Sequence, residues 1–135
     1  MSQSPPTSRS DARERALELI YEAECKEARI STILSALPLQ PDPFAVALAL
    51  GVDEHYEDSI ELLRRFARPD WPPERMPVID RLVLCIAIEE LDHHRDTPRA
   101  VVIDEAVELA KTFSTEESGK FVNGMLTSIA DHLGR

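Results

Sequence analysis

The chain is short of glycine, with 4 residues in 135, and of cysteine, with 2. No glycine-rich stretch has the form of a phosphate-binding loop. Cys25 and Cys85 supply neither a disulfide framework nor a Cys-x-x-Cys pair. Long apolar runs are missing too: nothing approaches the ~18 consecutive apolar residues of a membrane-spanning helix. The first ten residues, Met1 to Ser10, are polar and rich in proline and serine, without the apolar centre of a signal peptide. A cytoplasmic protein is therefore expected. Positive charge is also scarce, with 15 Lys and Arg against 25 Asp and Glu, a net charge of −10. That balance argues against nucleic-acid binding by bulk electrostatics, so an RNA site would have to be a local basic spot on an acidic body.

What is present reads as helix. Apolar residues make up 43% of the chain, enough for a core at this size. The 10 prolines fall between apolar segments and act as punctuation. Residues 1–8 are expected to be a disordered tail. From Arg9, the positions Ala12, Ala16, Leu19, Ile20 and Ala23 recur at steps of three and four, one face of a helix. A short apolar segment, Ile30 to Leu37, follows and ends at Pro38. Asp42-Pro43 pairs a capping residue with a proline suited to the first helical position. From there one helix is expected to run to about Ala67, with Gly51 in its middle as a place for close helix approach.

Arg68 to Pro77 carries four prolines and forms the main break, with Trp71 expected to pack into the joint. Pro77 to Leu91 is apolar nearly all round and belongs at the centre; Cys85 within it reads as a small buried hydrophobe. After a polar turn, Thr97-Pro98 opens a helix carrying Ile103, Ala106, Val107 and Ala110 inward. Ser114 and Glu117 have capping-box spacing ahead of a last helix with Phe121, Val122, Met125, Leu126 and Ile129 inside. Asn123-Gly124, unfavourable within a helix, points to close packing of a neighbour. The pattern predicts an all-α fold of six or seven helices, a single unit over 9–135 with subdomains at about 9–68 and 71–133.

The carboxyl-terminal third carries a resemblance. Asp80-Arg81-Leu82-Val83-Leu84, Glu90-Leu91, Pro98, Ala100 through Lys111 and Phe113 through Leu126 together resemble the signature of the bacterial transcription antitermination factor NusB family. Ala12 through Leu17 with Tyr21 is similar to that family's first helix, and Leu50-Gly51-Val52 to its third. The resemblance covers roughly residues 9–131 and is weaker between 22 and 76. It implies two small, roughly perpendicular helical bundles. It also implies an activity: pairing with ribosomal protein NusE, so that the pair binds boxA RNA on nascent rRNA transcripts within the transcription elongation complex. The same domain occurs fused to RNA methyltransferases, and no catalytic domain is expected after Arg135. The sequence departs from the family pattern where many relatives carry a basic run before Ala12: here only Arg9 is basic, beside Ser10 and Asp11. Asp104 stands where an Asn is usual.

The resemblance nominates Arg9, Arg13, Phe113, Glu117, Ser118, Lys120 and Phe121 for RNA, and Tyr21 and Asp80 for the partner. Chemistry allows each role and a plainer one. Arg9 and Arg13, four apart, share a helix face and suit phosphates, or pair with neighbouring Glu residues. Phe113 and Phe121 flank a polar loop and suit stacked bases, or fill the core. Ser118 and Lys120 would supply polar contacts to the RNA, while Glu117 either lies near it or caps a helix. Asp80 interrupts an apolar run and would take a cation from the partner, or sits at the helix start for its dipole. No enzyme, cofactor or metal site is expected: the adjacent His93 and His94 point about 100° apart on a helix and do not share a metal readily. The alternative function is an acidic protein–protein module with weak or lost RNA binding, for which homodimerisation through the first helix would hide the RNA surface.

Overall fold

The computed structural model describes residues 7–135. The tail expected over 1–8 lies outside the described residues except for Thr7 and Ser8. Thr7 donates its backbone N–H to Asp42 Oδ2, and Ser8 caps the first helix by accepting from the Asp11 N–H.

The described residues form seven α-helices and one 3-10 turn: α1 (Arg9–Lys26), α2 (Ile30–Ser35), α3 (Pro43–Glu54), α4 (Tyr56–Phe66), the turn Pro73–Arg75, α5 (Val78–His93), α6 (Arg99–Phe113) and α7 (Glu116–His132). None of them is long and apolar enough to cross a membrane. The expected inner face of α1 (Ala12, Ala16, Leu19, Ile20 and Ala23) is buried throughout. Asp42 caps α3 by accepting from the Phe44 N–H, with Pro43 in the first turn.

The single helix expected from residue 43 to 67 is two. The backbone leaves helical geometry at His55, where φ is −104° and ψ is 18°. The segments serve different neighbours: α3 packs against α1 and α5, α4 against α5 and α7. A straight helix cannot present one apolar stripe to both pairs, and the polar run Asp53, Glu54, His55 places little apolar mass at the bend.

Helix α5 is the centre, as its composition predicts. Its run from Leu82 to Leu91 is buried without interruption, and it touches α1, α3, α4, α6 and α7. Cys85 lies fully inside, and burial pushes its thiol up to about 12. In the joint before α5 the expected filler is wrong: Trp71 is 43% exposed, and Pro73 and Met76 are the buried residues there. Two helix starts differ as well. Helix α6 begins at Arg99 with Pro98 as its cap, so Thr97 caps nothing. Ser114 ends α6 with its N–H on the Ala110 carbonyl, and Thr115 caps α7 by accepting from the Ser118 N–H. The expected Ser114–Glu117 capping box does not form.

Close approach occurs at Gly51, as expected, and not at Gly124, whose surroundings are open to 4 Å. A Cβ at Gly51 would stand 2.1 Å from Glu89 Oε2 and 3.0 Å from Glu89 Cγ. Ala would improve helix propensity by about 1 kcal/mol, against about 1–3 kcal/mol for overpacking a buried side chain. Gly51→Ala is therefore expected to lose roughly 1 kcal/mol net by urea denaturation; a stabilised variant would show that Glu89 has room to swing away.

Candidate partner and nucleic-acid interface

The nominated residues fall into three groups, set by the helices that carry them. The first is the start of α1. Arg9 is exposed, and its guanidinium carbon lies over the Phe44 ring, 3.7 Å from the centroid. Arg13 is only 4% exposed. Its Nε and one terminal nitrogen bond the two oxygens of Glu90 at 2.8 and 2.6 Å, and the other nitrogen reaches Glu105 at 2.9 Å. Ser10 bonds the same Glu105. Of this face, Arg13 thus looks onto α5 and α6 rather than into solvent, while Arg9 covers Phe44 from the exposed side. Three of the five Arg13 N–H donors are committed to carboxylates, and its hydrogen bonds with Glu90 hold its pKa above the ordinary arginine value. As placed, it is too deeply buried to meet a phosphate.

The second group joins α5 to α7. Asp80, in the first turn of α5, is buried, and Ser118 Oγ donates to its Oδ2 at 2.8 Å. Around the Ser118 hydroxyl, Ser114 Oγ lies at 2.9 Å and Thr115 Oγ1 at 3.0 Å. Three hydroxyls therefore relay onto one carboxylate. Among the described residues, the other oxygen, Asp80 Oδ1, is buried and has no hydrogen-bond partner. The sequence suggested a charge awaiting a partner's cation; the structure places Asp80 beneath the surface, holding the starts of two helices together.

The third group is the exposed rim over that tie. Phe113, the last residue of α6, is 41% exposed. Glu117 and Lys120 stand out on α7, 3.4 Å apart. Phe121 is half-buried against the core, so of the two aromatics only Phe113 presents a ring to solvent. Tyr21 is exposed on α1, about 18 Å along the helix from Arg9 at 1.5 Å per residue.

Sequence reasoning missed Glu90 and Glu105. A signal for Glu90 was available: a carboxylate inside an apolar run of a central helix must find a cation, and Arg13 is that cation. It also missed a group away from this rim. His55, Glu89 and His93 bring potential metal-ligand atoms within 4.8 Å of one another, whereas His94 turns away and packs edge-on to Phe44.

Comparison with known proteins agrees with this architecture. The NusB family model matches residues 10–131. The transcription antitermination protein NusB of Thermobifida fusca (strain YX) is 42% identical over 128 residues, covering 92% of this chain and 89% of the relative. The solved structure of T. maritima NusB superposes with a TM-score of 0.82 at 34% identity, covering 94% of this chain and 93% of that one. A structure of antitermination factors NusB and NusE in complex with dsRNA shares the fold, with a TM-score of 0.78 at 21% identity over 92% of this chain and 96% of that chain. The chain belongs to the NusB family of transcription antitermination proteins.

Proposed function

We propose that this protein is a cytoplasmic adaptor that docks a NusE-type ribosomal protein and, with it, binds single-stranded boxA RNA on nascent rRNA transcripts. The observation that carries the RNA half is Phe113, an aromatic ring exposed at the junction of α6 and α7 with Lys120 nearby on α7. Base stacking on such a ring tolerates an acidic protein because every base has a π-face. The fold relative solved with NusE and dsRNA supports the class of partner. Tyr21, exposed on α1, is the partner contact in this reading. Asp80 acts from beneath, by fixing the first turn of α7. Binding through two joined RNA surfaces raises the effective affinity above that of either protein alone.

The test is fluorescence anisotropy of a labelled boxA oligonucleotide with the protein, with and without NusE, across a salt series. Phe113→Ala is expected to weaken the ternary complex by about 1–3 kcal/mol, roughly 5- to 150-fold, while Phe113→Tyr retains binding. Unchanged affinity in Phe113→Ala would remove that ring from the site.

One observation favours the second reading, an interaction module with little RNA affinity: Arg13 is withdrawn into a core ion pair, leaving Arg9 to represent the basic start of α1. In that case NusE binds, the RNA does not at low salt, and sedimentation reports a homodimer.

A further inference from the structure

We propose that His55, Glu89 and His93 form a binding site for a divalent transition-metal cation of the zinc class, tying the bend between α3 and α4 to the end of α5. Glu89 and His93 are one helical turn apart on α5, so both project toward the same side. His55 faces them from the bend. Its Nδ1 is 2.8 Å from Glu89 Oε1, and its ring lies 4.0 Å from the His93 ring at an interplanar angle of 12°.

The three ligand atoms lie within 4.8 Å of one another. Tetrahedral zinc, with bonds near 2.1 Å to nitrogen and oxygen, needs donors roughly 3.4 Å apart. His55 Nδ1 and Glu89 Oε1, at 2.8 Å, must open by about half an ångström, while the His93 ring must turn out of its stack on His55 and swing inward; both imidazoles retain exposure to solvent, which leaves them room to do so. Glu89 is already fixed, buried beneath Gly51.

The surroundings favour a cation. The pocket between these helices holds about 50 Å³ and is lined by Asp58 and Asp92 as well as Glu89. Three carboxylates there face two imidazoles. Asp92 Oδ2 stands 3.6 Å from His93 Nε2, beyond hydrogen-bond reach but close enough to add to the negative potential of the site. Two nitrogens and one oxygen suit zinc, cobalt or nickel and do not suit magnesium or calcium, which take oxygen ligands. Three protein ligands leave a fourth position for water or Asp58. The sequence signal is the Glu-x-x-x-His spacing of Glu89 and His93; nothing local to His55 announces the third ligand.

The experiment is titration of the tag-free, chelator-treated full chain with cobalt(II), read by visible absorption, alongside calorimetry with zinc(II). The expected result is one equivalent bound, with the intense visible bands of tetrahedral cobalt and a melting temperature that climbs with metal concentration. His93→Asn and His55→Asn are each expected to weaken binding on the order of 100-fold, at or beyond the upper end of what losing an outer partner of a metal ligand costs. His93 is exposed, so its variant reports on binding even where His55→Asn fails to fold. Absence of binding below millimolar metal overturns the proposal. So does binding that survives His93→Asn unchanged, which would assign the metal to His94 or His132.

Discussion

Replacing Arg13 with Met is expected to destabilise the protein by about 3–5 kcal/mol, the usual cost of removing one member of a buried ion pair. The reason lies mainly in what stays behind. Glu90 is 1% exposed and lies near the end of the buried run of α5; with Arg13 gone, its carboxylate has lost both fork hydrogen bonds and cannot reach water. Glu105 is about a quarter exposed, so its share of the loss is screened and small. For a chain of this length the cost corresponds to a fall in melting temperature of roughly 10–20 °C. Arg13→Met combined with Glu90→Leu is expected to recover most of the loss, since an apolar pair of similar volume often equals or betters a buried salt bridge. Thermal and urea denaturation of the two variants decide it. A loss below about 1 kcal/mol in the single variant, the range of exposed pairs, would mean that water reaches Glu90. This result also bears on function: weakened RNA binding in an Arg13 variant would reflect disturbance of α1 against α5, because the guanidinium is buried away from any ligand.

Leu84→Ala is expected to cost about 3–5 kcal/mol, the upper part of the range for large-to-small core changes. The size of such an effect depends on how far the surroundings collapse into the cavity. Leu84 has no exposed surface and lies on a helix enclosed by α1, α3, α4, α6 and α7. None of these can shift toward the gap without losing contacts elsewhere, so the void persists. Leu109→Ala, at a position 9% exposed, is the comparison and is expected to lose less, nearer 2–3 kcal/mol. Equal losses at the two sites would show that the centre relaxes as readily as the periphery.

The sequence displayed the helices because their apolar spacing is a local property. The faces of α1, α5 and α7 and the cap at Asp42-Pro43 follow from residues within a few positions of one another. The misreadings share a physical origin in contacts between distant parts of the chain. The bend at His55 exists because α3 and α4 have different neighbours, which no window of a dozen residues reveals. Arg13 resembles any helix-surface arginine until Glu90, 77 positions away, is placed against it. Asp80 resembles a charge waiting for a partner until Ser118 arrives from 38 positions along. The capping of α7 was misread by one residue because Ser114 and Thr115 are chemically equivalent caps, and only the backbone at Ser114 shows which helix it serves. Of the nominated residues, Phe113, Glu117, Lys120, Arg9 and Tyr21 do stand at the surface, and the family resemblance, more than periodicity, put them forward.

The hydroxyl relay on Asp80 has a consequence for reading alleles of this protein. A damaging change at Asp80 acts on the α6–α7 corner from inside, so it would mimic a change in the exposed rim of that corner while altering no surface atom there. Alleles at Asp80 and Ser118 should therefore fall into one phenotypic class, and a suppressor of one should suppress the other. A map of the docking surface drawn from loss-of-function genetics alone would paint both onto the exterior, where neither belongs.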